Sequence, residues 1–593
     1  MSPQGHPWQK QPDWRILDTQ FGSGNTFLAT WLTWLEDADH PRLLHYVAVC
    51  QQPCSASELI KHFEAHPKLA SLALELSHHW FGLLPGFHRF LLEQGQVVLT
   101  LCVGEPLPML RAQQFEADAI ELTLPHTCQD ELSWFLKAIA HCCRRGTRLV
   151  MRHADAAETP GWPRVLTQCG FTLEPMKSDG DDSYRQKPSS FSGYFDPAWT
   201  LQRTRPTTKT GPLPVLRCAV IGAGLAGAAV ATSLARRGWQ VTVLDQAETP
   251  AAGASGLPVG LVLPHVSSDD CTLSRLSRAG VRMMLQQVSE LLNVNRDWAP
   301  SGVFERQIGG TPKLPLTWSS EGTQWSANGH PDGDVALGSG LWHPKGAWIK
   351  PAALVKAWLN QPGITFLGNA AVTDVRRQGP TWVLSNNSSE MLCEAECVVF
   401  ANANGAFELL QKMKHSALDT QAQESHLPSK QGMLGLLSWA LHAEPEEARF
   451  APFPVNGAGS IVSCVPTENG LTWFMGSSYQ PDAQLERSDQ ENHLRNLEHL
   501  KELLPSLAQK LAPVFEAGTL HAWKGTRCIT ADRLPVVGPL DATDQPSLWI
   551  CAGMGSRGLS FSVLCAELLV ARMGAEPWPI EAKLARSLEA LRA

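Results

Sequence analysis

Gly222, Gly224 and Gly227 stand at the spacing G-x-G-x-x-G in the stretch Ile221-Gly-Ala-Gly-Leu-Ala-Gly. In that pattern the first glycine permits a tight turn and the second lets backbone N–H groups approach a pyrophosphate. The third lets helix and strand pack closely. The chemistry this predicts is adenine-dinucleotide binding, with the positive end of a helix facing the phosphates. Asp245 closes the next β-type run about twenty residues on, where an acid accepts the ribose hydroxyls. A second glycine turn, Gly553-Met-Gly-Ser-Arg-Gly-Leu, carries Gly555, Ser556, Arg557, Gly558 and Leu559. Its N–H groups and helix start suit a phosphate or the electron-rich edge of a flavin. A nicotinamide dehydrogenase needs no second site of this kind so far along the chain.

These residues need particular elements to hold them. The apolar run after Leu216 and the run Gln240-Val-Thr-Val-Leu-Asp predict strands, and Leu225 to Arg237 predicts a helix between them. Leu548-Trp-Ile-Cys-Ala predicts a strand before the second turn, and Ser562 to Met573 a helix after it. Upstream, Leu43–Val49, Val97–Val103 and 147–152 read as strands, with helical runs near 26–36, 55–75 and 130–143. Between the halves, 186–214 is rich in Pro, Ser, Thr and Gly without hydrophobic periodicity and reads as a linker.

Composition narrows the function classes. The chain has 593 residues, 44% of them hydrophobic and 18% charged, which predicts several well-filled globular domains. No apolar run is long enough to span a bilayer, so no membrane partner is expected. The opening Met1-Ser-Pro-Gln-Gly lacks the basic and apolar regions of a secretory signal, predicting a cytoplasmic place. The 15 cysteines are an odd number without C-x-x-C pairs, which fits reduced thiols and predicts no metal site. A net charge of −8 argues against non-specific coating of nucleic acid while leaving room for a local basic patch.

The paired glycine turns resemble the flavin amine-oxidoreductase superfamily. Further stretches recur in order: Gly253-Ala-Ser-Gly with Ser255 and Gly256, Leu261-Val-Leu-Pro, Ser268-Asp-Asp-Cys-Thr-Leu-Ser-Arg, Gly346-Ala-Trp-Ile-Lys-Pro, Val398-Val-Phe-Ala-Asn, Gly476-Ser-Ser-Tyr and Gly555-Ser-Arg-Gly-Leu. Together they are similar to the flavin half of the bifunctional tRNA 5-methylaminomethyl-2-thiouridine biosynthesis (MnmC) family. The resemblance covers about 215–593 and implies FAD, with Gly222, Gly224, Gly227, Asp245, Ser255, Gly256, Gly555, Ser556, Gly558 and Leu559 at the cofactor. It implies an FAD-binding Rossmann-type domain (about 215–300, 340–415 and 520–593) carrying an inserted antiparallel α+β substrate domain (about 301–339 and 416–519). The implied reaction removes the carboxymethyl group from 5-carboxymethylaminomethyl-2-thiouridine in tRNA. The substrate's carboxylate calls for a forked cation, and Arg557 and Arg527, the latter in Lys524-Gly-Thr-Arg-Cys, are the candidates for catalysis.

Residues 1–185 resemble the family's other half, a Rossmann-like methyltransferase using S-adenosylmethionine, through Phe21-Gly-Ser-Gly-Asn-Thr-Phe, the preceding Asp18, Leu83-Leu-Pro-Gly-Phe-His-Arg and Gly104-Glu-Pro-Leu-Pro-Met-Leu. Three positions depart from the family pattern. Gln20 replaces the first glycine of the loop, Cys50 the ribose-binding acid, and Thr123-Leu-Pro the Asp-Gly-Phe turn. A thiol does not replace a bidentate carboxylate, and a threonine is no base near neutrality. The fold is expected to remain and methyl transfer to be lost or altered. The competing reading for the whole chain is an FAD-dependent oxidase of a free amino acid such as glycine or sarcosine.

Overall fold

The computed structural model describes residues 6–125, 129–151, 161–174, 191–201, 216–307, 309–310, 313–330, 337–416, 427–442, 452–541, 546–590 and 592. The chain forms two compact units, Met1–Leu213 with Val570–Ala585, and Pro214–Leu569 with Arg586–Ala593.

The first unit is built on an eight-stranded sheet. Its centre is parallel: Val97–Val103, Leu43–Cys50, Asp13–Asp18, Ala117–Leu122 and Cys143–Met151 lie side by side in that order. Antiparallel strands Gly86–Leu92 at one edge, and Phe191–Phe195 followed by Phe171–Glu174 at the other, complete it. Leu43–Cys50 and Val97–Val103 are buried along their whole length, as strands covered on both faces must be. The helical run near 55–75 is two helices, Ala56–Phe63 and Pro67–Ser77. Pro67 suits the first turn of the second, since its missing N–H would be unpaired there in any case.

The stretch read as a linker begins too early. Phe191–Phe195 pairs with both Cys143–Met151 and Phe171–Glu174, burying Gly193 and Phe195. Residues 186–190 and 202–214 of that reading lie outside the described residues.

The second unit holds a six-stranded sheet in the order Ile364–Leu367, Gln240–Leu244, Arg217–Ile221, Cys397–Phe400, Leu548–Ala552 and Val536–Pro539. The first five are parallel and the last antiparallel. Two helices start directly from this sheet: Leu225–Arg236, almost entirely buried, and Gly558–Gly574. The second starts four residues before its expected Ser562.

A further eight-stranded sheet runs Ala327–Asn328, Gly340–His343, Val303–Arg306, Val455–Gly457, Gly459–Thr467, Gly470–Pro481, Lys430–Leu441 and His521–Thr530. All its neighbours are antiparallel except Val303–Arg306 with Val455–Gly457. Helices Asp489–Leu503 and Pro505–Glu516 cover it through a core that includes Phe304, Trp473, Met475, Leu500 and Phe515. Gly340–His343 and His521–Thr530 belong to this sheet, although their positions read with the cofactor-binding parts. A strand's sheet is set by its partner, which local sequence does not name.

Candidate active site

The strand Arg217–Ile221 ends in the first glycine turn. Gly222 has φ +105, and a Cβ there would lie 2.7 Å from the Cα of Asn402, so only glycine passes. At Gly227 a Cβ would lie 1.9 Å from the Gly222 carbonyl oxygen, which is the close helix–strand approach the spacing predicts. At Gly224 it would meet Ser255 Oγ at 2.9 Å. Asp245 accepts from Ala223 N at 2.7 Å with one oxygen and from Ala247 N at 2.9 Å with the other. Its carboxylate therefore braces the turn, and each oxygen keeps a lone pair for a ribose hydroxyl. Ser255 Oγ accepts the Leu225 N–H at 2.9 Å, at the first residue of the helix. A Cβ at Gly256 would sit 2.6 Å from the Ala251 carbonyl oxygen.

The second turn closes the same cavity. Gly553 and Gly555 take φ +73 and +57, and Gly555 N donates to Cys528 O at 3.0 Å. That bond ties the turn carrying Arg557 to the strand carrying Arg527. Gly558 and Leu559 begin the helix, and Leu559 packs where a side chain at Gly260 would otherwise go.

A cavity of about 780 Å³ runs between the two turns. Gly222, Gly224, Asp245 and Ser255 line it, as do Arg527, Gly555, Ser556, Arg557, Gly558 and Leu559. Gly227 and Gly256 stand behind its wall as packing residues.

Within the cavity the two arginines differ. Arg527 Nη2 donates to Ser477 Oγ at 3.0 Å, and the guanidinium carbon lies 4.9 Å from the centre of the Tyr479 ring. Its Nη1 is buried and has no hydrogen-bond partner among the described residues. The Arg557 side chain makes no hydrogen bond to a described residue, and burial holds its guanidinium below the ordinary value, with Glu305 opposing. An arginine so displaced stays charged at neutral pH.

Sequence reasoning missed Glu305, which also faces the cavity. Its Oε2 pairs with His343 Nε2 at 3.0 Å, and His343 Nδ1 with Ser326 Oγ at 2.8 Å. Burial pushes the Glu305 carboxyl up, but the His343 hydrogen bond and the charges of His343, His265 and Arg557 bring it below the ordinary carboxylate range.

The cavity fits a flavin adenine dinucleotide. The glycine cradle has no room for side chains, and the buried Asn402 Oδ1 and Asn404 Oδ1 join Arg527 Nη1 as unmet polar atoms among its lining residues. Leaving such groups unpaired costs roughly 1–3 kcal/mol each, so a polar occupant is called for.

In the first unit the candidate methyl-transfer positions are tied into local hydrogen bonds and packing. Tyr46 OH donates to Asp18 Oδ2 at 2.7 Å, and Gln20 N donates to Asp18 Oδ1 at 2.9 Å. Cys50 is buried, and burial pushes its thiol up to about 11. Thr123 N donates to Thr19 Oγ1 at 2.8 Å, bracing two strand ends. Phe21 stacks on Trp80 with ring centres 5.6 Å apart. Among the described residues no group of three or more His, Cys, Asp or Glu is placed to hold a metal ion, and no helix is long and apolar enough to cross a membrane.

A parallel sheet with two glycine turns, joined to a large antiparallel sheet over one cavity, defines an FAD-dependent oxidoreductase. Residues 217–572 match the family described as FAD dependent oxidoreductase. The chain is also 50% identical over 598 residues to the tRNA 5-methylaminomethyl-2-thiouridine biosynthesis bifunctional protein MnmC of Albidiferax ferrireducens, covering 99% of this chain and 94% of that protein. It is 43% identical over 595 residues to the protein of the same name from Polaromonas naphthalenivorans, covering 98% and 90%. Among solved structures, glycine oxidase from Geobacillus kaustophilus is similar at 18% identity with a TM-score of 0.48, covering 64% of this chain and 99% of that one. The chain belongs to the MnmC family and, through its second unit, to the FAD-dependent oxidoreductases.

Proposed function

We propose that this enzyme trims the wobble uridine of tRNA, converting 5-carboxymethylaminomethyl-2-thiouridine to 5-aminomethyl-2-thiouridine, and that its first unit no longer transfers methyl groups. The observation that carries the oxidative reading is the pair of under-used arginines in the cavity. Arg557 offers a whole guanidinium fork, and Arg527 a buried, unmet Nη1. A carboxylate satisfies both, whereas an amine substrate without one leaves buried donors unpaired.

The residues of the two turns would hold FAD: Gly222 to Leu225 the pyrophosphate, Asp245 a ribose, and 555–559 the ring. Bound flavin would take a hydride from the methylene between amine and carboxylate, leaving an imine that water cleaves to the aminomethyl product and glyoxylate. The protein's part is to fix that methylene by its carboxylate and to enclose it. Tyr479, stacked against Arg527, holds the guanidinium plane in place. Loss of methyl transfer is supported by Cys50, a neutral thiol at the position of a ribose-binding acid, and by Gln20 and Thr123 at the two other departures from the family pattern.

Incubating the full chain with tRNA bearing the carboxymethylaminomethyl nucleoside, then digesting and weighing the nucleosides, tests both parts. The aminomethyl nucleoside should accumulate and, with S-adenosylmethionine added, remain unmethylated. Methylaminomethyl product would overturn the second part, and unchanged starting nucleoside the first.

A further inference from the structure

Glu305 sits on the strand Val303–Arg306 and lines the same cavity as Arg557 and Arg527, near enough to Arg557 for the two charges to act on each other. The register pairs Glu305 with Leu341 and Val303 with His343. Glu305 and His343 are therefore diagonal neighbours on one face, close enough for long side chains to meet. His343 is fully buried and uses both ring nitrogens, one on Ser326 Oγ and one on Glu305 Oε2. Ser326 is fully buried as well. This chain pins one carboxylate oxygen, and Oε1 accepts no hydrogen bond from a described residue. A pinned anion with a free oxygen, in a cavity that also holds two arginines, is half of a site for a zwitterion.

We propose that Glu305 Oε1 accepts the N–H of the substrate amine while Arg557 and Arg527 take its carboxylate, so that the cavity reads an N-substituted glycine unit. The inference rests on the oxidative reading of the same cavity and adds the group that recognises nitrogen. A secondary amine keeps one N–H after losing its extra proton, so the hydrogen bond, stronger to the charged form, persists in the neutral form that loses hydride. Holding the amine by an anion and the carboxylate by cations fixes the methylene that joins them, which is the positioning that hydride loss needs. His343 and Ser326 act as positioning residues: they hold the carboxylate and touch no substrate.

The test compares full-length Glu305→Gln and Glu305→Asp with the unaltered chain, reading flavin absorbance, single-turnover flavin reduction and the Kd of an anticodon stem-loop. Two stem-loops serve, one with the carboxymethylaminomethyl group and one with plain 2-thiouridine. Glu305→Gln should keep its flavin, lose about tenfold to a hundredfold in reduction rate at low tRNA, and weaken only for the modified loop. Glu305→Asp, which keeps the charge, should recover part of the loss. Unchanged reduction and Kd in Glu305→Gln would overturn the proposal. So would equal weakening for both loops with lost flavin in both variants, which marks a structural role. If the unaltered chain itself fails to reduce its flavin with the modified tRNA, the oxidative reading falls and this inference with it.

Discussion

In the proposed reaction Arg557 and Arg527 would divide the work of carboxylate recognition by how much of each guanidinium the protein already uses. Arg527 spends one nitrogen on Ser477 and its face on Tyr479. Arg557 keeps its fork free in a partly buried place where a charged hydrogen bond counts. Arg557→Lys should therefore retain the flavin and lose turnover of carboxymethylaminomethyl-tRNA. A point charge cannot reproduce two parallel hydrogen bonds, and a charged bond is worth ~1.5–3 kcal/mol, or roughly tenfold to more than a hundredfold in rate. Flavin content and single-turnover reduction on one preparation check this. Full occupancy with unchanged reduction would remove Arg557 from the mechanism, and flavin lost in step with activity would make it a brace for the cofactor.

At the scale of elements, the strand–turn–helix around Gly222 leaves no space for added side chains at Gly222 or Gly227. Gly227→Ala would place a methyl 1.9 Å from the Gly222 carbonyl oxygen, so helix and turn must part. Overpacking of this kind costs typically 1–3 kcal/mol, and the variant should purify with little flavin and a lowered melting temperature. A yellow protein of unaltered stability would show that the turn has slack. This element was legible in the sequence because its signals are local: the three glycines, the flanking apolar runs and Asp245 all lie within one strand–helix–strand stretch. Glu305 was not, because its partner His343 lies 38 residues away and meets it only through strand register. The same limit hid the place of His521–Thr530 in the antiparallel sheet, where Arg527 lies level with Met433 of a distant strand. Phe191–Phe195 was masked differently, since five residues with a central glycine inside a Pro- and Ser-rich stretch carry almost no strand signal.

Across the whole molecule, the first unit includes the late segment Val570–Ala585. Arg15 donates to the carbonyls of Gly574 and Ala575 at 3.1 and 3.0 Å, and Arg89 donates to that of Pro577. Ala582 N reaches Ala112 O at 3.2 Å, and buried Glu576 lies 3.5 Å from His45. A unit whose sheet is built entirely from residues before 214 thus also packs against residues from the far end of the chain. Arg89→Ala leaves the Pro577 carbonyl without its buried donor and should cost about 1–3 kcal/mol, read as a lower urea midpoint for the first unit. A fragment ending at Leu213 should be less stable than the same residues in the full chain. Equal urea midpoints would show that the late segment adds nothing.

In the proposed reaction the flavin is reduced by an N-substituted glycine carried on tRNA. Anaerobic mixing of the full-length, flavin-loaded enzyme with stoichiometric carboxymethylaminomethyl-2-thiouridine tRNA, followed by flavin absorbance, tests it most directly. Bleaching in a single turnover, absent with tRNA already carrying the aminomethyl group and far slower with free glycine or sarcosine, is the predicted result. Bleaching by glycine or sarcosine with none by the tRNA would contradict the account and make the protein an oxidase of free amino acids.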